Sequence, residues 1–453
     1  MGNLLLLTGI LSILSPHLPQ NLSLLPLALP WVLLLFSQDM LLPSILAERV
    51  LGLVLWILLS TSFSQQPWVS AIPAFRTLSL LLVLLLCCTA WRPQDLRRWS
   101  VFRTGGSILL SLVLMFDPQS WRVLGVNPNY AAAFLASSLC WSLGRYFFTQ
   151  SRFHLLAALL LGLGMLQIHS RGAWIGLAIG ISSLAWGKGK RPALWVCLLL
   201  LFAAATLPLS TWIRLSKLED PVSFHRTEIW KSALAISLEH PLSGVGPGNF
   251  ESSYFRHNFP VEQGLARFQK YAGHAHSEPL QIASEMGWPA LAFSLWLLAY
   301  FLLPLPSRSD RSLWPAWSAS LCLLIHSCLD GILNSVWLNL LLVGYLAEIL
   351  LHHSSEKSTN GAVPASHGLL LGGTGIVSLG LILILQPDPT LLPEALRRSP
   401  QDFFLRLQAA RSHLFSSPPE IGEALLELKQ ARSLCPSCAL PWVQEAEIHK
   451  NLG

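Results

Sequence analysis

Three short stretches hold the residues best suited to chemistry. In IHSRGAWIGL, residues 168–177, Arg171 stands between two apolar runs with Gly172 beside it. A charge at the end of a membrane span is costly, so an ionisable residue there is a functional candidate. The competing reading is a long stem that snorkels to water or to lipid phosphate. In PVSFHRTEIWKSALAISLEHPLSGVGPGNF, residues 221–250, Pro221 and Ser223 can open a helix carrying His225, Arg226 and Trp230, which Pro241 and Gly244 end. Arg226 shares a face with Ile229, Trp230 and Ala233 at spacings of three, four and seven. The helix can therefore lie on a membrane with its guanidinium aimed at a headgroup. An anion at such a helix start also gains from free N–H groups, whereas an Arg that is merely solvated would do nothing.

The third stretch is YAGHAHSEPLQIASEMGWP, residues 271–289. His274 and His276, two apart, raise a metal site. Hydrolytic metal centres need further Asp or His ligands, and Glu278 is the one acid within a few residues, so no metal is expected. A neutral His with an ordinary pKa near 6.5 suits general-base work; a His that only packs a loop is the plainer alternative. The run Gly244-Val-Gly-Pro-Gly-Asn249 lacks the Lys-Ser/Thr of a nucleotide loop, and its glycines permit backbone conformations closed to other residues. Gly244, Gly246, Gly248, Asn249, Ser277 and His274 stand as secondary candidates for substrate contact. Cys435-Pro-Ser-Cys438 sits in a turn between helices, without the preceding strand that a redox motif needs. A structural turn or a local disulfide fits it better.

The elements around these residues are set by composition. Only 12% of the 453 residues are charged while 52% are hydrophobic, against roughly 25% charged in a soluble domain. Uncharged runs recur at the length of roughly 17 to 20 residues that crosses hydrocarbon as helix. In lipid every backbone polar group needs an internal partner, and runs of this length meet that need as helices. The fold class expected is all-α, a polytopic bundle of about twelve to thirteen spans. Anchoring it on Arg92/Arg97/Arg98, Arg145/Arg152, Lys188/Lys190/Arg191 and Arg308/Arg311 as cytoplasmic loops gives spans near 3–15, 21–37, 45–62, 76–91, 101–117, 128–148, 153–169, 172–186, 192–209, 288–305, 312–330, 332–351 and 368–386. The N-terminus then falls inside, although the first span can also be read as a signal peptide.

This division gives N-terminal spans in 1–208, a large outer loop in 209–287, C-terminal spans in 288–386 and a tail in 387–453. Arg171, the large loop and the tail all emerge on the outer face. The tail reads as a helical hairpin resembling part of a tetratricopeptide array, with Ala424, Ala431 and Pro436 at packing and turn positions, and could recruit a protein partner. The basic residues lie in short loops and form no patch with aromatics interleaved, so nucleic acid is excluded as a partner. Six of the eight Cys lie in or beside apolar spans and suggest no disulfide framework.

SRGAWIGL, HRTEIW, HPLSGVGPGNF and HAHSEPLQIASEMGWP, in that order around one large loop of a many-span chain, resemble the O-antigen ligase and O-antigen polymerase superfamily. The ligase His pattern maps onto His276, Ser277 and Gly287 and departs at Ala290. The family's Arg-x-x-x-Leu pattern fits Arg171 with Ile175 in place of Leu. The resemblance covers about 165–350. It implies an inverting, metal-independent glycosyltransferase of the bacterial inner membrane, without a cofactor, acting in lipopolysaccharide or other polysaccharide biosynthesis. The donor would be a glycan on a polyprenyl diphosphate such as undecaprenyl diphosphate, and the acceptor a lipid or glycan hydroxyl at the periplasmic face. His276 would be the base, and Arg171 and Arg226 would hold the diphosphate. Ligase and polymerase differ in acceptor, and the residues do not separate them. A bicarbonate-type anion transporter is the alternative class, and a scaffold working through the tail is a third.

Overall fold

The computed structural model describes residues 28–32, 40–117, 127–168, 170–188, 221–254, 257, 272–307, 310–353, 360–363, 392–398, 400, 403–434 and 439–452. In chain order the elements are β1 (Met40–Pro43), α1 (Ser44–Ser62), α2 (Pro67–Ala90), α3 (Pro93–Phe116), α4 (Pro128–Thr149), α5 (Arg152–Leu166), α6 (Arg171–Lys188), α7 (Pro221–Glu239), α8 (Phe250–Tyr254), α9 (Glu278–Leu302), α10 (Trp314–Leu329), α11 (Val336–His353), β2 (Asn360–Val363), α12 (Leu392–Arg398), α13 (Phe403–Leu414), α14 (Ile421–Leu434) and α15 (Ala439–Leu452). The protein is helical as expected. The short antiparallel ribbon of β1 and β2, which pairs Met40 with Val363, is the one exception among the described residues.

Four of the described helices are long and apolar enough to cross a membrane: Ile45–Ser62, Val69–Thr89, Pro93–Phe116 and Glu278–Leu302. Arg152–Leu166, Trp314–Leu329 and Val336–Leu351 are shorter apolar helices. The spans expected at 3–15, 192–209 and 368–386, and all but residues 28–32 of the one expected at 21–37, lie outside the described residues, as do Pro436 and the Cys435/Cys438 pair. The tight connection expected near 330–334 is a single 3-10 turn, Ile332–Asn334, between α10 and α11.

The chain divides into two compact units, residues 1–52, 76–220 and 293–379 in one, and 53–75, 221–292 and 380–453 in the other. In the first, α10 packs against α6 and α4, and α5 against α4 and α3. Small residues allow this close approach, as they do wherever helices associate in lipid without a hydrophobic drive between them. Gly172, Gly176 and Gly180 recur every four residues on α6, and a Cβ on each would meet His326, Cys322 and Ser318 of α10, which also step by four. The two helices thus run side by side with their backbones nearly touching, which fixes the start of α6 and Arg171 with it.

In the second unit, the last turns of α1 and the first turns of α2 belong with residues 221–292. Its tail is a set of packed helices, with Phe403, Leu407 and Ala410 of α13 against Leu428 and Ala431 of α14 and Ile448 of α15. Arg406 pairs with Glu427 at 2.9 Å and Arg432 with Glu445 at 2.6 Å across these helices.

Candidate functional site

The large loop is built around one side of α7. Ile229, Ala233 and Ile236 are buried with Val245, Phe250, Tyr254, Ala272 and Ala275. The face that spacing offered to a membrane is therefore the inward face of the loop. Apolar periodicity shows that one side of a helix is buried but not what buries it, and here the cover is the rest of the loop. Burial, assisted by nearby Glu228, pushes the Tyr254 phenol up to about 12, so it stays neutral.

The glycine run winds against α1, α2 and α9. The Gly244 N–H donates to His240 O at 3.0 Å, Val245 N–H to Ser284 O at 3.0 Å and Gly246 N–H to Glu285 O at 2.8 Å, while Val245 O accepts from Gln65 N–H at 3.2 Å. Asn249 is buried, and its amide donates to both Ser64 Oγ and Ser70 Oγ at 2.9 Å. Glu285, also buried, accepts the Phe250 N–H at 3.2 Å. Gly244, Gly246 and Gly248 all have φ in the left-handed region, and a Cβ there would strike Glu285, Ser64 and Pro73 respectively. Only glycine satisfies both demands.

Gly287 interrupts α9 with φ 81 and ψ 170, and a Cβ would collide with the Leu242 carbonyl. Gly287→Ala is expected to lose about 1–3 kcal/mol from the backbone conformation alone, with the collision in addition. Thermal unfolding in detergent should show a clear fall in midpoint. Gly105→Ala, where a Cβ meets nothing within 4 Å, serves as the neutral control; equal midpoints for the two variants would contradict this account.

The histidine turn follows. Ala275 is buried between an exposed His274 and a half-buried His276. Gln281 clamps the turn: its Oε1 accepts the Ala275 N–H at 2.6 Å, and its own N–H donates to Ser277 O at 2.8 Å. Ser277 is buried beneath the turn. His276 has φ 50, a left-handed conformation that a residue other than glycine adopts at a cost. Its carbonyl accepts the Trp230 indole N–H at 3.3 Å. Trp230 lies one helical turn after Arg226 on the same face of α7, so this bond places the Arg226 face of α7 beside the His276 turn.

Arg171 lies in the other unit, where it opens α6. Its neighbours Ser170 and Gly172 both meet His326, a fully buried ring; Ser170 Oγ lies 3.5 Å from His326 Nε2. One turn on, the buried Asp330 accepts from the Asn129 amide and from the Gly331 N–H, the latter at 3.0 Å. Asn127 caps α4 by accepting the Asn129 N–H at 2.9 Å. Sequence reasoning missed His326 and Asp330. The signal was available in CLLIHSCLDG, because two ionisable residues in an apolar run mark a candidate site.

Among the described residues no group of three or more His, Cys, Asp or Glu is placed to hold a metal ion. Residues 156–295 match the family model described as O-Antigen ligase. Over this segment, about a third of its length, the chain is similar to the O-antigen ligases. No curated protein matches the chain. The ligase segment runs from α5 into α9 and contains Arg171, Arg226 and His276, while His326 and Asp330 lie beyond it. At a coarse level this similarity, with the apolar helices, supports a multi-pass membrane enzyme that transfers glycans and handles lipid-linked glycan substrates.

Proposed function

We propose that the protein is an inverting, metal-independent glycosyltransferase that moves a glycan from a polyprenyl diphosphate to an acceptor hydroxyl at the outer face of the inner membrane. The observation that carries this reading is the ligase segment itself, in which the Trp230–His276 bond joins the helix of Arg226 to the strained histidine turn. His276 takes the proton from the acceptor hydroxyl while its oxygen attacks the anomeric carbon from the side opposite the diphosphate. The anomeric C–O bond breaks with its electron pair passing to the diphosphate. Arg226 and Arg171 meet the charge that develops there, with the paired hydrogen bonds that guanidinium groups make to phosphate oxygens. The acceptor is a lipid core for a ligase or a growing glycan for a polymerase. Gly244, Gly246, Gly248 and Asn249 act on this reading by holding the loop, and Ser277 and His274 by flanking the base.

The test is transfer by the full-length protein in vesicles, with a lipid-linked glycan and a soluble acceptor. Product of inverted anomeric configuration should form at the same rate with and without chelator. Chelator inhibition reversed by zinc or magnesium would reassign His274 and His276 to a metal site. One observation favours the anion-carrier alternative: Arg103 is 1% exposed in α3, and its guanidinium nitrogens have no hydrogen-bond partner among the described residues. It is stacked instead between Trp141 at 4.1 Å and Tyr345 at 4.4 Å, an arrangement that stabilises the cation in place. Bicarbonate uptake by the same vesicles would establish the carrier.

A further inference from the structure

The outward side of α7 changes character along its length. Thr227 and Lys231 are exposed near its start, and Lys231 pairs with Glu228 at 2.9 Å. Leu234 and Leu238 then follow on the helix, 42% and 64% exposed, and Leu242 in the turn just beyond it is 68% exposed. Single exposed leucines are ordinary on a protein surface, but a row of them marks an interaction surface.

The row leads to the end of one candidate span and to the break within another. Leu242 is flanked by Ser243, whose carbonyl accepts from Ser60 Oγ at 2.7 Å, and by Pro241, whose carbonyl accepts the Trp288 N–H at 2.9 Å. Ser60 lies in the last turn of the span Ile45–Ser62, and Trp288 resumes α9 after the Gly287 break. The Trp56 indole donates to Met286 O at 3.0 Å, and Trp288 is itself part-exposed. Two tryptophans around one break mark the level at which aromatic rings sit among lipid headgroups. The span Ile45–Ser62 carries exposed Leu55, Leu58 and Leu59, so the leucine row continues the exposed apolar surface of a candidate span.

We propose that the C-terminal half of α7 and the turn after it enter the leaflet on the side of the large loop, with Leu234, Leu238 and Leu242 among the acyl chains and Lys231 at the headgroups. Seven residues of helix separate Lys231 from Leu238, a rise of about 10 Å, so the charged and the apolar stretches stand well apart along α7. This surface is distinct from the Ile229/Ala233 face, which the loop core covers, and it stands independently of the chemistry assigned to the loop.

The experiment places a photoreactive diazirine side chain at position 227, 238 or 242 of the full-length protein in phospholipid vesicles. After illumination, labelled phospholipid should be attached several-fold more at 238 and 242 than at 227. Adducts with a second copy of the chain at 238 and 242 would identify a protein interface and overturn the proposal. Equal, low lipid labelling at all three positions in protein with an unchanged unfolding midpoint would also overturn it, by showing a solvated face.

Discussion

His276→Ala is expected to slow glycan transfer by about 10²–10⁴-fold, the usual contribution of a positioned general base. The expectation rests on where the ring is held. Its backbone is left-handed, its carbonyl is fixed by Trp230, and the next residues are clamped by Gln281. Strain kept in this way at a loop facing a candidate reaction centre is a reason to look for function there. Alanine also changes the backbone preference at this position, so His276→Asn is the cleaner variant. Asparagine tolerates the left-handed region but cannot take the proton, and it should be as inactive as alanine with an unchanged unfolding midpoint. His274→Ala should lose far less, because that residue is exposed whereas His276 is half-buried in the strained turn. Wild-type rates in both His276 variants would remove the base assignment. A dead His274→Ala with an active His276→Ala would move the role two residues along the chain.

Arg226→Ala and Arg171→Ala should each cost about 10²–10³-fold, as loss of one preorganised donor to developing charge does. The loss should fall more on kcat than on KM, because the diphosphate gains charge as the bond breaks and the guanidinium interaction strengthens with it. Arg→Lys should recover little, since an ammonium cannot reproduce the two parallel hydrogen bonds. Full activity in either alanine variant would exclude that residue from the diphosphate clamp. A change confined to KM would make it a docking contact for the bound donor.

Much of this was legible before any coordinates. A chain with 12% charged residues and long uncharged runs has few solvents other than lipid, so the helical class followed from composition. The order of four short motifs carried the resemblance to the O-antigen ligase superfamily. These are local properties: propensity, period and spacing act within a few turns of chain. Partners lie much further off. Spacing put Arg226, Ile229, Trp230 and Ala233 on one face, but the sequence could not say that Ala275 and Val245 would cover Ile229 and Ala233 while leaving Leu234 and Leu238 outward. Ser64 and Ser70 reach Asn249 across about 180 residues, and His326 meets Gly172 across more than 150. Tertiary structure decided those pairings, because burial is shared between surfaces and neither surface alone specifies which other one will cover it.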